Sequence, residues 1–337
     1  MEKKLALVDV AVLLIFFNRE KETREVFEKV KEARPSKLFL YQDGARKENV
    51  KDKEGIAACR KIVDEIDWEC EIHTLFQEKN YGCDPSEYIA QKWAFSIVDK
   101  CIILEDDDVP SVSFFAFCKE LLDKYENDSR IMMISGLNHE EVTEDVSSDY
   151  FFTRNCSIWG WASWRRVIES WDSKYSFLDD KESLERFKTF LKEEKLLVGF
   201  EKVCDAHRNT GKEHYESILI SNVWNNHGLC IVPKKNMIHN IGLTADATHY
   251  VGDIDSVPKA IRSLFTMPTY EIDSPFVHPP YIQEHINYRK RVYKMMGWRH
   301  PILKVFRFIS LILELIFSGK FNKVIALIKS KLTSYVI

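Results

Sequence analysis

Short apolar runs and helical repeats alternate along the first part of the chain. Residues 10–17 form an uninterrupted apolar run, and Val26, Phe27 and Val30 then recur at the spacing of one helical face. The same alternation of a short strand and an amphipathic helix continues to residue 104. Strands of this kind, joined by helices, predict an α/β fold with a parallel sheet and right-handed crossovers.

The pattern predicts the following elements. Predicted strands cover residues 10–17, 37–41, 71–76, 100–104, 130–135, 150–153 and 230–233. Predicted helices cover residues 56–66, 86–98, 114–125 and 213–225, with further charged helices between 181 and 199. The chain has no internal repeat or low-complexity linker, so we expect one domain over residues 1–285, with a donor half of about 1–140 and an acceptor half of about 141–285, followed by a helical tail, 286–337.

The most informative segment is an apolar strand that runs into four consecutive acids, Glu105-Asp106-Asp107-Asp108. Adjacent carboxylates in a short turn repel one another unless a cation lies among them. They offer the hard oxygen ligands of Mn²⁺ or Mg²⁺, and such an ion usually keeps positions open for substrate phosphates. Open α/β sheets bind ligands at this edge.

Composition narrows the possible functions. The 337 residues are 45% hydrophobic and 30% charged, with a net charge of −4, which argues against nucleic acid as the main partner. Eight scattered cysteines include no CxxC pair, so neither a zinc site nor a disulfide framework is indicated. The glycine-rich motifs of dinucleotide-binding and P-loop proteins do not occur either.

Six short motifs follow one another in a specific order. They are Asn18-Arg19, Tyr41-Gln42-Asp43, Glu105-Asp106-Asp107, Phe114-Phe115, Ser135-Gly136-Leu137-Asn138 and Trp159-Gly160-Trp161. The ordered set resembles metal-dependent nucleotide-sugar glycosyltransferases of the GT-A fold, particularly N-acetylglucosaminyltransferase I and its bacterial relatives. The resemblance covers roughly residues 8–250 and implies a Rossmann-like, mostly parallel sheet flanked by helices.

The resemblance also implies roles for the residues of the acidic run. Asp107 would coordinate the metal directly, while Glu105 and Asp106 would face the sugar-nucleotide. Asp108 stands where the family usually has an apolar residue. An alternative register therefore stays open, in which Asp106 and Asp108 form the metal-binding pair.

Other positions of the resemblance complete the predicted donor site. Arg19 and Asp43 align with positions that hold uridine, which favours a UDP-sugar donor. Asn138 and Trp161 are further predicted donor contacts, although tryptophans beside a glycine also serve as core residues. His249 falls where the family has a late histidine near the diphosphate and the metal.

The transfer reaction requires a base that deprotonates the acceptor hydroxyl. The family carries this carboxylate after the tryptophan segment, and Glu216 is the nearest counterpart, although this chain has Tyr-Glu where the relatives have Trp-Asp. Asp172, Asp179 and Asp180 are alternatives. Glu216 could also be a solvated acid at the start of a helix, with no catalytic role.

The two ends of the chain bear on localisation. Asp9 interrupts the apolar stretch of residues 5–17 and no cleavage-site pattern follows, so we expect a strand rather than a signal peptide, and a cytoplasmic protein. Residues 300–337 combine apolar positions at helical spacing with lysines and arginines. This favours peripheral contact with the inner face of the plasma membrane, or else packing on the protein's own domain or on a second copy.

The predicted function is an inverting, metal-dependent glycosyltransferase that moves a sugar from a UDP-sugar to a glycan or lipid-linked glycan acceptor in bacterial surface polysaccharide synthesis. Two alternatives stay open. One is a nucleotidyltransferase that makes the sugar-nucleotide, although residues 12–21 lack its glycine-rich phosphate loop. The other is a non-catalytic glycan-binding protein in which the acids bind calcium.

Overall fold

The structure, a computed structural model, describes residues 3–243 and 257–324. Within these ranges the strands are β1 (Val8–Phe16), β2 (Pro35–Gln42), β3 (Glu71–Phe76), β4 (Lys100–Glu105), β5 (Asp108–Pro110), β6 (Ile131–Ser135), β7 (Tyr150–Thr153), β8 (Trp161–Trp164), β9 (Leu229–Pro233) and β10 (Ile238–Asn240). The α-helices are α1 (Glu20–Ala33), α2 (Val50–Arg60), α3 (Cys83–Ile97), α4 (Ser113–Lys124), α5 (Arg165–Glu169), α6 (Lys181–Glu193), α7 (Phe200–Asn209), α8 (Tyr215–Asn225), α9 (Lys259–Arg262), α10 (Ile286–Met296) and α11 (Pro301–Phe317). Short 3₁₀ helices cover Lys61–Glu65, Ser176–Leu178 and Ser263–Thr266.

A central sheet of eight strands has the order β3-β2-β1-β4-β8-β6-β9-β7. Strands β3, β2, β1 and β4 run parallel, whereas β8 runs antiparallel between β4 and β6, and β7 runs antiparallel to β9. The predicted α/β fold with a mostly parallel sheet is confirmed. Strands β1 and β4 lie in the middle of the sheet and are buried along most of their length, which explains why their sequences are continuous apolar runs.

The predicted helices flank this sheet with the expected faces inward. Helix α1 buries Val26, Phe27 and Val30, as its spacing predicted. Helix α4 buries both Phe114 and Phe115 completely. The acidic turn between β4 and β5 therefore starts and ends against the core, because the strand before it and the helix after it are both fixed there.

Several elements of the structure were not predicted from the sequence. Strand β8 was not predicted, because all four of its residues are buried and show no alternation of polar and apolar positions. Strands β5 and β10 pair antiparallel, with Asp108 opposite Asn240, and a pairing across 132 residues leaves no local signal. Helix α7 begins just beyond the predicted charged helices.

Two helices form the described part of the C-terminal tail. Tyr288 and Val292 of α10 pack with Val146, Phe151 and Val232 in a small second apolar cluster, so α10 lies against β7 and β9. The domain division at residue 285 stays a prediction. Among the described residues, every helix is too short or too polar to cross a bilayer.

His139, buried beneath α10, makes the stability of this arrangement sensitive to pH. Tyr288 Oη lies 3.3 Å from its Nδ1, and burial lowers the pKa of His139 from 6.5 to about 4. Between these pH values the unfolded chain binds a proton that the folded chain does not, so the free energy of unfolding should decrease as pH falls through this range.

Urea unfolding of the unaltered chain and of His139→Gln, measured from pH 6.5 to pH 4, tests this assignment. We expect the free energy of unfolding of His139→Gln to decrease by ~3 kcal/mol less over this range than that of the unaltered chain. The exposed His300→Gln should leave the pH dependence unchanged, and an unchanged dependence in His139→Gln would refute the assignment.

Candidate active site

The candidate site lies where β1, β2 and β4 end, at the carboxyl edge of the parallel strands. Strand β1 is followed by Arg19, β2 by Asp43, and β4 by the acidic turn. This is the edge at which open α/β sheets bind ligands. The fold therefore brings three of the six sequence motifs to one edge.

Arg19 is the immediate partner of the acidic turn. Its Nη2 donates to Asp106 Oδ1 in a close contact and to Asp107 Oδ2 at 2.9 Å, and its Nε donates to Asp106 Oδ2 at 3.4 Å. Burial raises the pKa of Asp106 to about 6, and the positive charge of Arg19 opposes this shift. The guanidinium thus offsets part of the charge that the chain concentrates here, a role that the sequence analysis did not assign to it.

Asp107 is held from the side of β10. Asn240 Nδ2 donates to Asp107 Oδ1 at 3.3 Å, and the N–H of Ile241 donates to the backbone oxygen of Asp107 at 2.9 Å. Gly242 approaches so closely that a Cβ there would overlap Asp107 Oδ2 and lie 2.8 Å from its Cγ. The Asp107 side chain is 14% exposed, twice the 7% of Asp106, so it is the more accessible of the two.

Asp108 points into the protein and has no exposed surface. Its Oδ2 accepts from the N–H of Gly160 at 2.8 Å, and its Oδ1 accepts from Asn240 Nδ2 at 3.1 Å. Burial and the charge of Asp107 raise its pKa well above the usual value. Because Asp108 has no exposed surface whereas the Asp107 side chain is 14% exposed, the geometry favours Asp107 over Asp108 as a cation ligand. Asp108 instead ties the acidic turn to β10 and to the tryptophan segment.

Glu105 has two neighbours that the sequence analysis missed. Its Oε1 accepts from Tyr215 Oη at 3.0 Å. Burial and the charge of Glu87, a buried acid of α3, raise the pKa of Glu105 well above its usual value. Gln91 Nε2 donates to Glu87 Oε2 at 3.3 Å. Helical spacing of Glu87 with Ala90, Gln91 and Ala94, all buried, is the signal that could have revealed this acid.

The donor set suits a divalent cation in an open site. Carboxylate oxygens are the ligands that Mn²⁺ and Mg²⁺ prefer, and Mg²⁺ is commonly held by one or two carboxylates together with substrate phosphates. Within the part of the chain that the structure describes, no group of three His, Cys, Asp or Glu side chains forms a metal cage. Asp107 therefore fits a metal that a diphosphate helps to hold, and the residues do not fit a metal enclosed by protein alone.

Asp43 serves the backbone of a neighbouring loop. Its two oxygens accept from the N–H groups of Gly44, Tyr81 and Gly82 at 2.9–3.1 Å, and from Asn80 Nδ2 at 2.8 Å. The carboxylate is buried, and burial raises its pKa. These contacts show that Asp43 positions the loop before α3, and its predicted contact with the donor stays a prediction.

The predicted donor contacts Asn138 and Trp161 lie inside the protein. Asn138 has no exposed surface, and its Nδ2 donates to Thr143 Oγ1 and to the backbone oxygens of Pro233 and Lys234 at 2.8–2.9 Å. Trp161 is 1% exposed within β8. Neither side chain reaches a ligand in this conformation. Trp159 is partly exposed and packs against Phe265, at 5.0 Å between ring centroids.

Glu216 is exposed in the first turn of α8, directly after the tyrosine that contacts Glu105. The fold thus brings Tyr215, the residue before Glu216, to the acidic turn, although the two segments are far apart in sequence. The alternatives have local structural roles: Asp172 accepts the N–H of Lys174, Asp179 pairs with Arg208, and Asp180 caps the N-terminus of α6. His249 lies outside the described residues.

A rim of cationic and aromatic side chains borders the acids. Arg46, whose side chain is 58% exposed, pairs with the buried Asp52 and lies 5.6 Å from the ring centroid of Phe17. Lys79 Nζ lies 4.4 Å from the ring centroid of Tyr81. The sequence analysis missed these residues because they come from separate loops with no motif of their own.

Comparisons with known proteins gave structural likeness only. No family model matches the chain, and no curated protein sequence matches it. A UDP-glucose pyrophosphorylase complexed with UDP-glucose has a TM-score of 0.35 at 10% identity, covering 68% of this chain and 92% of that one. An inositol-1-phosphate CTP transferase from T. maritima has a TM-score of 0.36 at 8% identity, covering 77% and 96%. Mouse xyloside xylosyltransferase 1 has a TM-score of 0.33 at 11% identity, covering 64% and 81%.

These neighbours are two nucleotidyltransferases and a xylosyltransferase. TM-scores of 0.33 to 0.36 carry no argument about the activity of this chain. The functional case therefore depends on the geometry of the site.

The contact between Gly242 and Asp107 can be tested directly. A methyl group at Gly242 must displace the Asp107 carboxylate, so we expect Gly242→Ala to weaken Mn²⁺ binding in calorimetry by about tenfold or more, as other changes behind a metal ligand do. Gly228→Ala is the control for glycine replacement itself, because a Cβ there would meet the flexible side chain of Met132 rather than an acid. Equal Mn²⁺ affinity in the two variants would show that Asp107 does not hold the metal.

Proposed function

We propose that the chain is an inverting, metal-dependent glycosyltransferase that moves a sugar from a UDP-sugar to a hydroxyl of a glycan or lipid-linked glycan. The observation that carries this proposal is the acidic turn at the carboxyl edge of the parallel strands. There Asp107 alone of the three aspartates combines exposure with a supporting shell on β10. Other residues at this edge would provide a positive charge for the diphosphate and aromatic rings for the nucleoside.

Asp107 would hold Mn²⁺ or Mg²⁺ together with the donor diphosphate. The metal, when bound, offsets the negative charge that builds on the departing UDP. Asn240 and Gly242 fix the Asp107 carboxylate. Arg19 lies within hydrogen-bond distance of both Asp106 and Asp107, so its guanidinium places a second positive charge beside the same phosphates.

The rim would receive the nucleoside. Phe17 and Tyr81 offer aromatic rings at the end of β1 and in the loop before α3, and Arg46 and Lys79 lie beside those rings. Aromatic and guanidinium planes stack on bases without hydrogen-bond readout. Asp43 contributes indirectly, since it holds the backbone of Tyr81.

The reaction is one displacement. The acceptor oxygen forms a bond to the anomeric carbon, the bond from that carbon to the diphosphate oxygen breaks, and UDP leaves with the electron pair. The acceptor proton passes to a carboxylate, for which we infer Glu216. Attack from the face opposite the leaving group inverts the anomeric centre.

The connection from β1 to α1 argues against the nucleotidyltransferase alternative. A glycine-rich loop that cradles phosphates would stand there, whereas residues 17–19 contain no glycine. The first turn of α1 also carries Glu20 and Glu22, which repel phosphate from the helix N-terminus. These features support a phosphate site at the acidic turn, where a bound metal would offset the charge of the acids.

Release of UDP tests the proposal. With Mn²⁺ and a panel of UDP-sugars, we expect donor-dependent UDP release that a chelator abolishes and that Asp107→Asn lowers by about 100-fold or more. The exposed Asp64→Asn is the matched control and should retain full activity. Full activity of Asp107→Asn would refute the role of Asp107 as metal ligand. Metal-independent sugar binding without affinity for UDP would refute the glycosyltransferase and favour a glycan-binding protein.

The base has a separate signature. Glu216→Gln should lower kcat by 10²–10⁴-fold, since it removes proton transfer, and should leave Mn²⁺-dependent UDP binding unchanged. Glu213→Gln changes an acid just before the same helix turn and is the control. An unchanged kcat in Glu216→Gln would transfer the role to another carboxylate.

A further inference from the structure

An apolar stripe on α11 faces away from the protein. It comprises Ile302, Val305, Phe306, Ile309, Leu313, Ile316 and Phe317, which recur every three or four residues. Exposure reaches 85% at Ile302, 69% at Phe306 and 86% at Phe317. Exposed aromatic and branched apolar residues in a continuous row mark an interaction surface rather than ordinary surface variation. We propose that this stripe docks on the surface of an anionic lipid bilayer.

The opposite side of α11 is fixed to the protein. Leu311 and Leu315 are buried beneath it, and Arg262 of α9 donates to both carboxylate oxygens of Glu314 at 2.9 and 3.0 Å. Arg307 Nη2 donates to the backbone oxygen of Lys294 at 3.2 Å, and Nη1 donates to that of Met295. These contacts hold the rotation of the helix, so the stripe cannot turn inward without breaking them.

Charge indicates which surface would cover the stripe. Residues 289–337 contain eleven Lys or Arg and a single acid, Glu314, whereas the remainder of the chain has 37 Lys or Arg against 51 acids. Lys290 and Lys294 of α10, Arg299 before α11 and Lys304 of α11 are exposed. Anionic lipid headgroups attract such cations, and they repel the acidic remainder of the chain. The protein would therefore approach a bilayer with this side first.

A second copy of the chain is a poorer occupant. Pairing the stripe with its own copy would bring two strongly basic segments together, and like charges at an interface oppose association. Insertion across the bilayer is also excluded for α11, because its 17 residues include Lys304, Arg307 and Glu314. A helix that lies in the interface plane satisfies both constraints.

Contacts connect the docked helix with the candidate site. Arg262 of α9 leads directly into the 3₁₀ helix Ser263–Thr266, whose Phe265 packs on Trp159 and accepts a hydrogen bond from His239 Nε2 at 3.0 Å. His239 belongs to β10, which pairs with β5 beside the acidic turn. If the proposed function holds, membrane docking would therefore bring the site to a lipid-anchored acceptor. Only this inference about the acceptor rests on the proposed function, and the docking itself does not.

Vesicle sedimentation tests the docking. The full chain should bind vesicles of phosphatidylcholine mixed with phosphatidylglycerol, and bind pure phosphatidylcholine at least about tenfold more weakly. Val305→Asp places a charge in the stripe and should weaken binding to the mixed vesicles by about tenfold or more. Val198→Asp is the matched control, because Val198 is 61% exposed and Val305 is 60% exposed.

A second pair of variants separates charge from apolar contact. Lys290→Gln with Lys294→Gln should weaken binding to the mixed vesicles, whereas Lys51→Gln with Lys53→Gln makes the same change of net charge on α2 and should not. Absence of vesicle binding by the unaltered chain, or equal binding by Val305→Asp, would overturn the proposal. So would a dimer, seen by analytical ultracentrifugation, that only Val305→Asp dissociates.

Binding of UDP with Mn²⁺, measured in solution without lipid, keeps the two proposals apart. Val305→Asp should leave it unchanged, since the stripe lies on the tail and the nucleotide site on the sheet edge. Loss of vesicle binding with intact UDP binding supports both proposals. Vesicle binding without UDP binding would refute only the glycosyltransferase.

Discussion

Repulsion among buried carboxylates is the constraint on which this structure depends. Strand β4 delivers four consecutive acids to the edge of the sheet, and α3 adds a fifth, Glu87, behind them. Burial alone would force such groups to bind protons, and the raised pKa values of Glu105, Asp106 and Asp108 express this tendency. A guanidinium, a set of N–H donors and, in the proposed function, a divalent cation each relieve part of that repulsion.

The relief is distributed unevenly, and this gives each acid a separate role. Asp106 is paired with Arg19, and Asp108 is turned inward onto backbone and amide N–H groups. Glu105 accepts from Tyr215, which connects the turn to the helix that carries Glu216. Of the three aspartates in the turn, Asp107 has the most accessible carboxylate. In the proposed function, this division leaves Asp107 for the cation.

The same contacts connect distant parts of the chain. Strand β10 supports the acidic turn through Asn240, and its His239 contacts Phe265, which follows the helix that anchors α11. The sheet edge that carries the candidate site and helix α11 are thus connected through packed elements. If both proposals hold, this connection would fix the position of the site relative to the bilayer.

The sequence by itself determined the parallel strands, the edge at which the acids lie and the apolar face of α11, because hydrophobic periodicity and a run of like charges are local signals. Tertiary structure decided which acid stays accessible. That choice depends on Asn240 and Gly242, which a pairing across more than 130 residues brings to Asp107. It also decided that Asn138 and Trp161 are core residues, because a motif records the order of side chains along the chain and not the direction in which each one points.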